Sequence, residues 1–404
     1  MAPAFGAARS AEDAVGTALR PWQPGSLDIH HIATGRGDST LIIGPDGTSM
    51  MIDAGASATP PPAAFETRPG NDRRAGEWIG RYARRQLAAT GRSALDVFLA
   101  THLHPDHVGD VTPDSPRARD GDYRLTGVSD VEAILPIRRV VDRGFPDYSF
   151  PRPLSAAFAA NYQAYIRWRI ATRRAVERFR VGAADQFSLV HERSAWPGFE
   201  VRNLAANGEV WTGEGNGTRS LFPSLKDLAE EDIPEENVCS AALRLRFGEF
   251  SYFAAGDLTN TTYYGALPWR DVESAAAKVA GPVDVAVAPH HGMFDASGPE
   301  MVRSLRPAVW IISPWHAVHP NMSALERIFS NRLYPEPRLV LATGLSPANV
   351  LANQRLTDRM ASREGHVVIR VGEGGSRYRV VVTDNRDEGD RVTAVFDPSP
   401  APRP

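Results

Sequence analysis

Cysteine is almost missing from this chain. Its 404 residues include one, Cys239, so no disulfide can form within it. Lysine is nearly as rare, confined to Lys226 and Lys278, and arginine carries almost all the positive charge. The formal net charge of -3 argues against a surface coated with cations for polyanions. No apolar run reaches the roughly 20 residues that span a bilayer. The opening MAPAFGAARSAEDAVGTALRPWQPG lacks a basic segment followed by an apolar one, so it is not an intact secretory signal. A cytoplasmic location and export with a trimmed signal both fit it. With 42% hydrophobic and 23% charged residues, the chain can build a large core without covalent staples.

What is present is organised in β-prone runs with helices between them. Residues 1–25 are expected to form a flexible leader, 26–396 one domain, and 397–404 a disordered tail. Runs at 27–32, 39–43 and 49–52, separated by GRGD and PDGT, predict a β-meander ending in an acidic loop at Asp53. An amphipathic helix over 77–89 follows, then the buried strand ALDVFLA. Residues 113–190 read as a helical insertion, with Phe158, Tyr162, Tyr165, Ile166 and Ile170 at helical spacing. Later β-type runs are FEVRNLAAN, SAALRLRFG, FSYFAAGD, VDVAVAPHHG and AVWIISPWH, and strands close the domain over 366–396. Strands in both halves, with helices between, fit layers stacked around two sheets.

Histidine is scarce, with 11 in the chain, yet LATHLHPDHVGD at 99–110 holds three, together with two aspartates. At a strand end, alternate residues point the same way, so His102 and His104 can grip one ion together. The chain turns at Pro105, and Asp106 and His107 can face a second ion. Imidazole and carboxylate suit zinc, manganese or iron, and the motif has no thiolate. For any one of these histidines a polar loop role is the simpler reading. Four ligand-type residues in six positions behind an apolar strand point to metal.

His-x-His-x-Asp-His resembles the signature of the metallo-β-lactamase superfamily, and the resemblance covers roughly residues 26–345. It is most similar to the branch of ComEC-type competence domains and related phosphodiesterases. TGRGDSTLIIGPDGTSMMIDAG, NVCSAALRLRFGEFSYFAAGD, APHHG and HAVHP resemble other segments of that branch. The implied fold class is α/β, an αββα sandwich of two mixed sheets flanked by helices, with metals at one edge.

The resemblance implies the metal ligands His102, His104, Asp106, His107, Asp257 and His291, with His290 as the alternative to His291. It places Asp53, Asp38 and Asn237 behind the ligands. Asp106, Asp257 and His319 are the implied catalytic residues, with His319 donating to a substrate oxygen. Two divalent ions are expected, zinc first, with manganese or iron as alternatives. Such ions sit about 3.5–4 Å apart and clamp a bridging hydroxide. One departure stands out. Where many members carry a third-motif histidine, the only histidine between His107 and Asp257 is His191, in unrelated surroundings, and the matching strand end carries Asn207. The first ion is therefore expected to be under-coordinated, completed by His291, or weakly held.

The leading function is metal-dependent hydrolysis of a phosphodiester, in a nucleic acid or a small molecule. Lactone, acyl-ester or β-lactam hydrolysis on the same site is the alternative, and a non-catalytic ligand- or partner-binding fold is a third reading. The segment with Tyr162, Tyr165, Trp168, Arg169, Arg173 and Arg174 has two readings. It is either a substrate cover that stacks bases and neutralises phosphates, or a helix that packs its apolar face on the sandwich.

Overall fold

The computed structural model describes residues 12–399. Its chain begins with β1 (Leu27–His31), β2 (Thr40–Ile43), β3 (Ser49–Ile52), β4 (Leu95–Ala100), β5 (Ile137–Asp142) and β6 (Ala175–Arg178). Next come β7 (Phe199–Ala206), β8 (Glu209–Trp211), β9 (Thr218–Ser220), β10 (Ala242–Phe247), β11 (Phe250–Ala254), β12 (Val285–Val287), β13 (Val309–Ile312) and β14 (Leu339–Ala342). It ends with β15 (His366–Val371), β16 (Tyr378–Thr383) and β17 (Val392–Phe396). One sheet has the order β17-β16-β15-β1-β2-β3-β4-β5-β6, and the other β14-β13-β12-β11-β10-β7-β8-β9. Both are mixed. β3 to β6 run parallel in the first, β11 to β14 run parallel in the second, and the remaining pairs are antiparallel.

The strand sequences explain the layering. In β4, Val97 and Leu99 face the second sheet and pack with Leu243, Leu245 and Val309. Phe98 and Ala100, on the other face, pack under the helices α1 (Ala75–Leu87), α2 (Pro105–Val108), α3 (Gly127–Ile134) and α4 (Ala157–Ala171). Such a strand is buried on both faces and so reads as a continuous apolar run. The second sheet repeats the arrangement. Phe253, Ala286 and Trp310 turn outward onto Val272 of α5 (Val272–Ala280), Met301 of α6 (Pro299–Leu305) and Leu325 of α7 (Met322–Ile328). The result is the αββα sandwich that the sequence implied.

Local chemistry starts the helices. Asp271 accepts a hydrogen bond from the Ser274 N–H at the head of α5, and Asn321 from the Ser323 N–H at the head of α7. In α1, Trp78, Ile79, Tyr82 and Leu87 are buried as their spacing predicts, with Glu77 in the first turn and Arg84 and Arg85 in the last.

Two expectations meet differences, and a third falls largely outside the described residues. Residues 1–11 of the expected leader lie outside the described residues. From residue 12 the chain packs: Leu19 and Trp22 are buried, and Gly16 N–H donates to the Val392 carbonyl at 2.8 Å. Within 113–190, α3 and α4 are accompanied by β5 and β6, which extend the first sheet by two parallel strands. Their alternation is too short to stand out beside a fifteen-residue helix. Of the expected tail, 397–399 is described, and 400–404 lies outside the described residues.

The cover reading of α4 is corrected. Tyr162 donates to Asp142 at 3.0 Å, and the buried Arg169 donates to Glu132 at 2.6 Å and to the Ile137 carbonyl at 3.1 Å. Tyr165 also bonds Glu132, and Arg174 reaches the same carboxylate at 2.9 Å while lying over Trp168. Arg167 within α4 and Arg173 just beyond it are exposed, without a described side-chain partner. Of the arginines in the expected cover, Arg169 and Arg174 are spent on the fold. Arg169→Ala is expected to destabilise the protein by about 2–3 kcal/mol in urea unfolding. That is less than the ~3–5 kcal/mol of a fully broken buried pair, because Glu132 keeps Arg174 and Tyr165.

Candidate metal centre

The ends of the parallel strands converge on one edge of the sandwich. Asp53 follows β3, and His102, His104, Asp106 and His107 follow β4. Asp257 follows β11, His290 and His291 follow β12, and His319 lies beyond β13. In open α/β sheets this carboxyl edge is where ligands bind, because the strand ends deliver side chains there while the rest of each strand stays buried.

Four donors form the centre. Asp106, His107, Asp257 and His291 each offer a ligand atom, these atoms lie within 4.8 Å of one another, and all four residues are buried. His291 Nε2 is 2.9 Å from Asp106 Oδ2 and 3.4 Å from Asp257 Oδ2. His107 Nε2 is 3.5 Å from Asp106 Oδ2 and 3.3 Å from Asp257 Oδ2. His102 stands beside them, its Nε2 3.8 Å from Asp257 Oδ2 and 3.1 Å from His104 Nδ1. His291 therefore groups with Asp106, His107 and Asp257.

The residues fit a metal. Among the described residues, His107 Nε2 and Asp257 Oδ1 are buried with no hydrogen-bond partner. Buried polar atoms left unpaired are costly, and a cation accounts for both. The donors are imidazole nitrogen and carboxylate oxygen, the set that zinc, manganese and iron accept.

Each imidazole is aimed from behind. His107 donates through Nδ1 to Asp53 Oδ2 at 2.8 Å, and Asp53 also accepts from the Thr101 N–H and hydroxyl at 2.8 and 2.7 Å. His291 donates through Nδ1 to the Ser313 carbonyl at 3.0 Å, with Asp38 Oδ1 3.7 Å away. In both, Nε2 is left facing the centre, the usual arrangement of a ligating histidine. Asp53 thus lies behind His107, and Asp38 near the Nδ1 of His291. Asp53→Asn is expected to keep the fold and to weaken metal binding about 10–100-fold, read by competition with a chromophoric chelator.

Backbone conformation supports the same placement. His290 and His291 both sit in the left-handed region, at φ 49 and 54. Two successive non-glycine residues there cost about 1–3 kcal/mol each, strain that persists only where the surroundings impose it. Gly37, at φ 138, lets the GRGD loop close onto the site. A Cβ there would lie 2.1 Å from the Asp106 carbonyl, which instead accepts the Asp38 N–H at 2.9 Å.

The charges are strongly coupled. Burial alone would lower His107 and His291, but Asp257 and the neighbouring carboxylates hold both well above the ordinary imidazole range. Burial would likewise raise Asp106 and Asp257, yet His107 and His291 hold both well below the carboxylate range. His102 is lowered by burial and then by His107. His319 stacks on His291 at 4.9 Å between ring centres, and burial, then His291, pushes it down to about 2.

Several contributors escaped sequence reading. Glu236 accepts the Leu103 N–H at 2.7 Å and pairs with the buried Arg143, bracing the chain between His102 and His104. Arg143 also donates to Asn207 Oδ1 at 2.8 Å, and Asn207 returns a bond to the Arg143 carbonyl at 2.9 Å. Asn207 therefore braces Arg143. His191 is 3.3 Å from Asp96 at the far end of β4, remote from the centre. Asp295 accepts from His290 Nδ1 at 2.8 Å and Asn237 lies 3.1 Å from its Nε2. Asp295 follows HHG closely enough to be found from the sequence, whereas Glu236 and Arg143 carry no local signal.

Fold and site together define a two-sheet sandwich with a buried cluster of nitrogen and oxygen donors at its carboxyl edge. No family model matches the chain, and no curated protein matches it. Among solved structures it is similar to a variant of the CmlA beta-hydroxylase, with 15% identity, a TM-score of 0.40, and coverage of 87% of this chain and 54% of that one. The chain thus spans about half the length of that protein. It is also similar to a protein from Parabacteroides distasonis provisionally described as a metal-dependent hydrolase, at 12% identity and a TM-score of 0.35 over 79% of this chain and 94% of that one. A diphosphatase from the PhnP family gives 12%, 0.33, 85% and 97% respectively. These figures describe overall shape and say nothing of substrate.

Proposed function

We propose that this protein is a metal-dependent hydrolase acting on phosphodiesters. The observation that carries the reading is the buried group Asp106, His107, Asp257 and His291, with His102 and His104 adjoining it. When bound, divalent ions there supply Lewis acidity and a water nucleophile active at neutral pH. The chain's own residues do the rest. Asp257, whose Oδ2 faces several imidazoles at once, is the carboxylate best placed to be shared between two ions. Burial and then His291 lower the pKa of His319, its buried Nδ1 has no hydrogen-bond partner among the described residues, and the role assigned to it is a bond to a substrate oxygen.

A small diester is favoured over a nucleic acid. Tyr162, Tyr165 and Arg169 of α4 are committed inside the fold, while Phe294, Val318 and Met322 are exposed in the segments flanking His291 and His319. These side chains offer apolar contacts and no charge for a phosphate backbone. No helix among the described residues is long and apolar enough to cross a membrane. The test is a panel on metal-loaded protein: an aryl phosphodiester, single-stranded DNA, a lactone and a cephalosporin. The aryl diester is expected to turn over fastest. Cephalosporin hydrolysis without diester hydrolysis would overturn the assignment.

A further inference from the structure

Asp257 Oδ2 has four imidazole nitrogens around it. His107 Nε2 is at 3.3 Å, His291 Nε2 at 3.4 Å, His102 Nε2 at 3.8 Å and His290 Nε2 at 4.0 Å. The four-donor group accounts for His107 and His291 and leaves His102 and His290 unexplained. We propose that His290 is a direct ligand of a second ion, which it shares with His102, His104 and Asp257. The inference rests on the metal-dependent reading above, but its test does not need turnover.

Ligand supply points to His290. His102, His104 and Asp257 provide three donors, one short of the four that such ions take in closed sites. Asn207, at the end of β7, cannot be the fourth, because its amide oxygen and nitrogen are both engaged with Arg143. Glu236 is occupied by Arg143 and the Leu103 N–H. His290 is prepared for the task. Asp295 takes its Nδ1–H at 2.8 Å, which fixes the ring and leaves the Nε2 lone pair toward the centre. The left-handed backbone at both 290 and 291 brings two successive imidazoles to one carboxylate, which a regular strand or helix would send to different faces. Nε2 also lies 3.1 Å from Nδ2 of Asn237, so an ion taking that lone pair competes with one amide hydrogen bond. Each member of His290–His291 thus serves a different ion, and the pair is not a ligand with a spare.

The experiment counts metal. Wild type and His290→Ala are stripped with chelator and titrated with Zn(II) and with Mn(II). Bound metal per chain is then measured by plasma mass spectrometry after gel filtration. Two ions are expected in the wild type and one in the variant, the loss of the second exceeding the about 10–100-fold weakening typical of a residue behind a ligand. Two ions of unchanged affinity in the variant, or one ion in the wild type, overturns the proposal.

His290→Cys, titrated with Co(II), separates ligand loss from misfolding. A thiolate on cobalt gives near-ultraviolet charge-transfer absorption, and the native Cys239 is buried and so not a source of it. A band that grows with the second equivalent of cobalt supports direct ligation. Its absence in a variant whose circular dichroism matches wild type rejects it. If two ions bind but no diester is hydrolysed, the proposed substrate falls and the ligand assignment stands.

Discussion

Asp257→Ala is expected to abolish metal-dependent hydrolysis, lowering kcat/KM by about a thousandfold or more, which corresponds to roughly 4 kcal/mol of transition-state stabilisation. No other side chain in the centre approaches so many ligand nitrogens through a single oxygen. Its removal leaves His107 and His291 without the carboxylate that chiefly sustains their positive charge, and leaves any pair of ions without a common anion. Asp257 follows closely on the fully buried β11, which β10 and β12 hold in place whatever that side chain does. The variant should therefore fold, with native circular dichroism and a lower melting temperature when stripped of metal. Asp257→Asn, nearly the same size, separates charge from packing and should lose as much activity. A rate within tenfold of wild type in either variant would mean that the reaction takes place elsewhere.

How much of this was legible in the sequence depends on how local each signal is. The His102–His107 motif declared itself because all its donors lie on one strand end and the turn after it. Asp257 and His290–His291 were readable for the same reason, each being a polar cluster at the end of an apolar strand. Asp53 was found as the end of the first meander, and its bond to His107 followed from the parallel pairing of β3 with β4. What stayed hidden depends on pairings across the chain. Glu236 and Arg143 are separated by 93 residues and sit in unremarkable surroundings, so nothing local marks them as the brace for Leu103. Arg169 shows a case that the sequence leaves open between a binding face and a packed helix. A helix rich in arginine and tyrosine looks like a binding face until the fold shows Glu132 waiting beneath it. The sequence leaves the third-motif question open between an under-coordinated ion, one completed by His291 and one weakly held. In the structure Asn207 bonds Arg143, and His291 turns toward Asp106.

The second large effect concerns pH. His107 and His291 have imidazoles raised above their ordinary range of about 6.5. Ion pairs of that kind contribute stability that is complete below the unfolded value and is lost as pH rises through the folded one. For Asp106 and Asp257, held below the ordinary carboxylate range, the contribution is present above about 3.9 and disappears as pH falls through the lowered values. Metal-stripped protein should therefore be most stable in the mildly acidic window between these limits and should soften toward alkaline pH.

Metal binding runs the other way. An ion at His107 and His291 must displace both protons, and each costs a factor of about ten in affinity per pH unit below its pKa. The apparent affinity of the first ion is accordingly expected to rise by up to ~100-fold per pH unit through neutrality. Calorimetric titrations in buffers of different ionisation enthalpy should find close to two protons released per ion. Release of fewer than about half a proton would show both imidazoles already neutral before the metal arrives. The two buried aspartates would then lack the counter-charge that keeps them ionised, and the coupling described for this centre would be wrong.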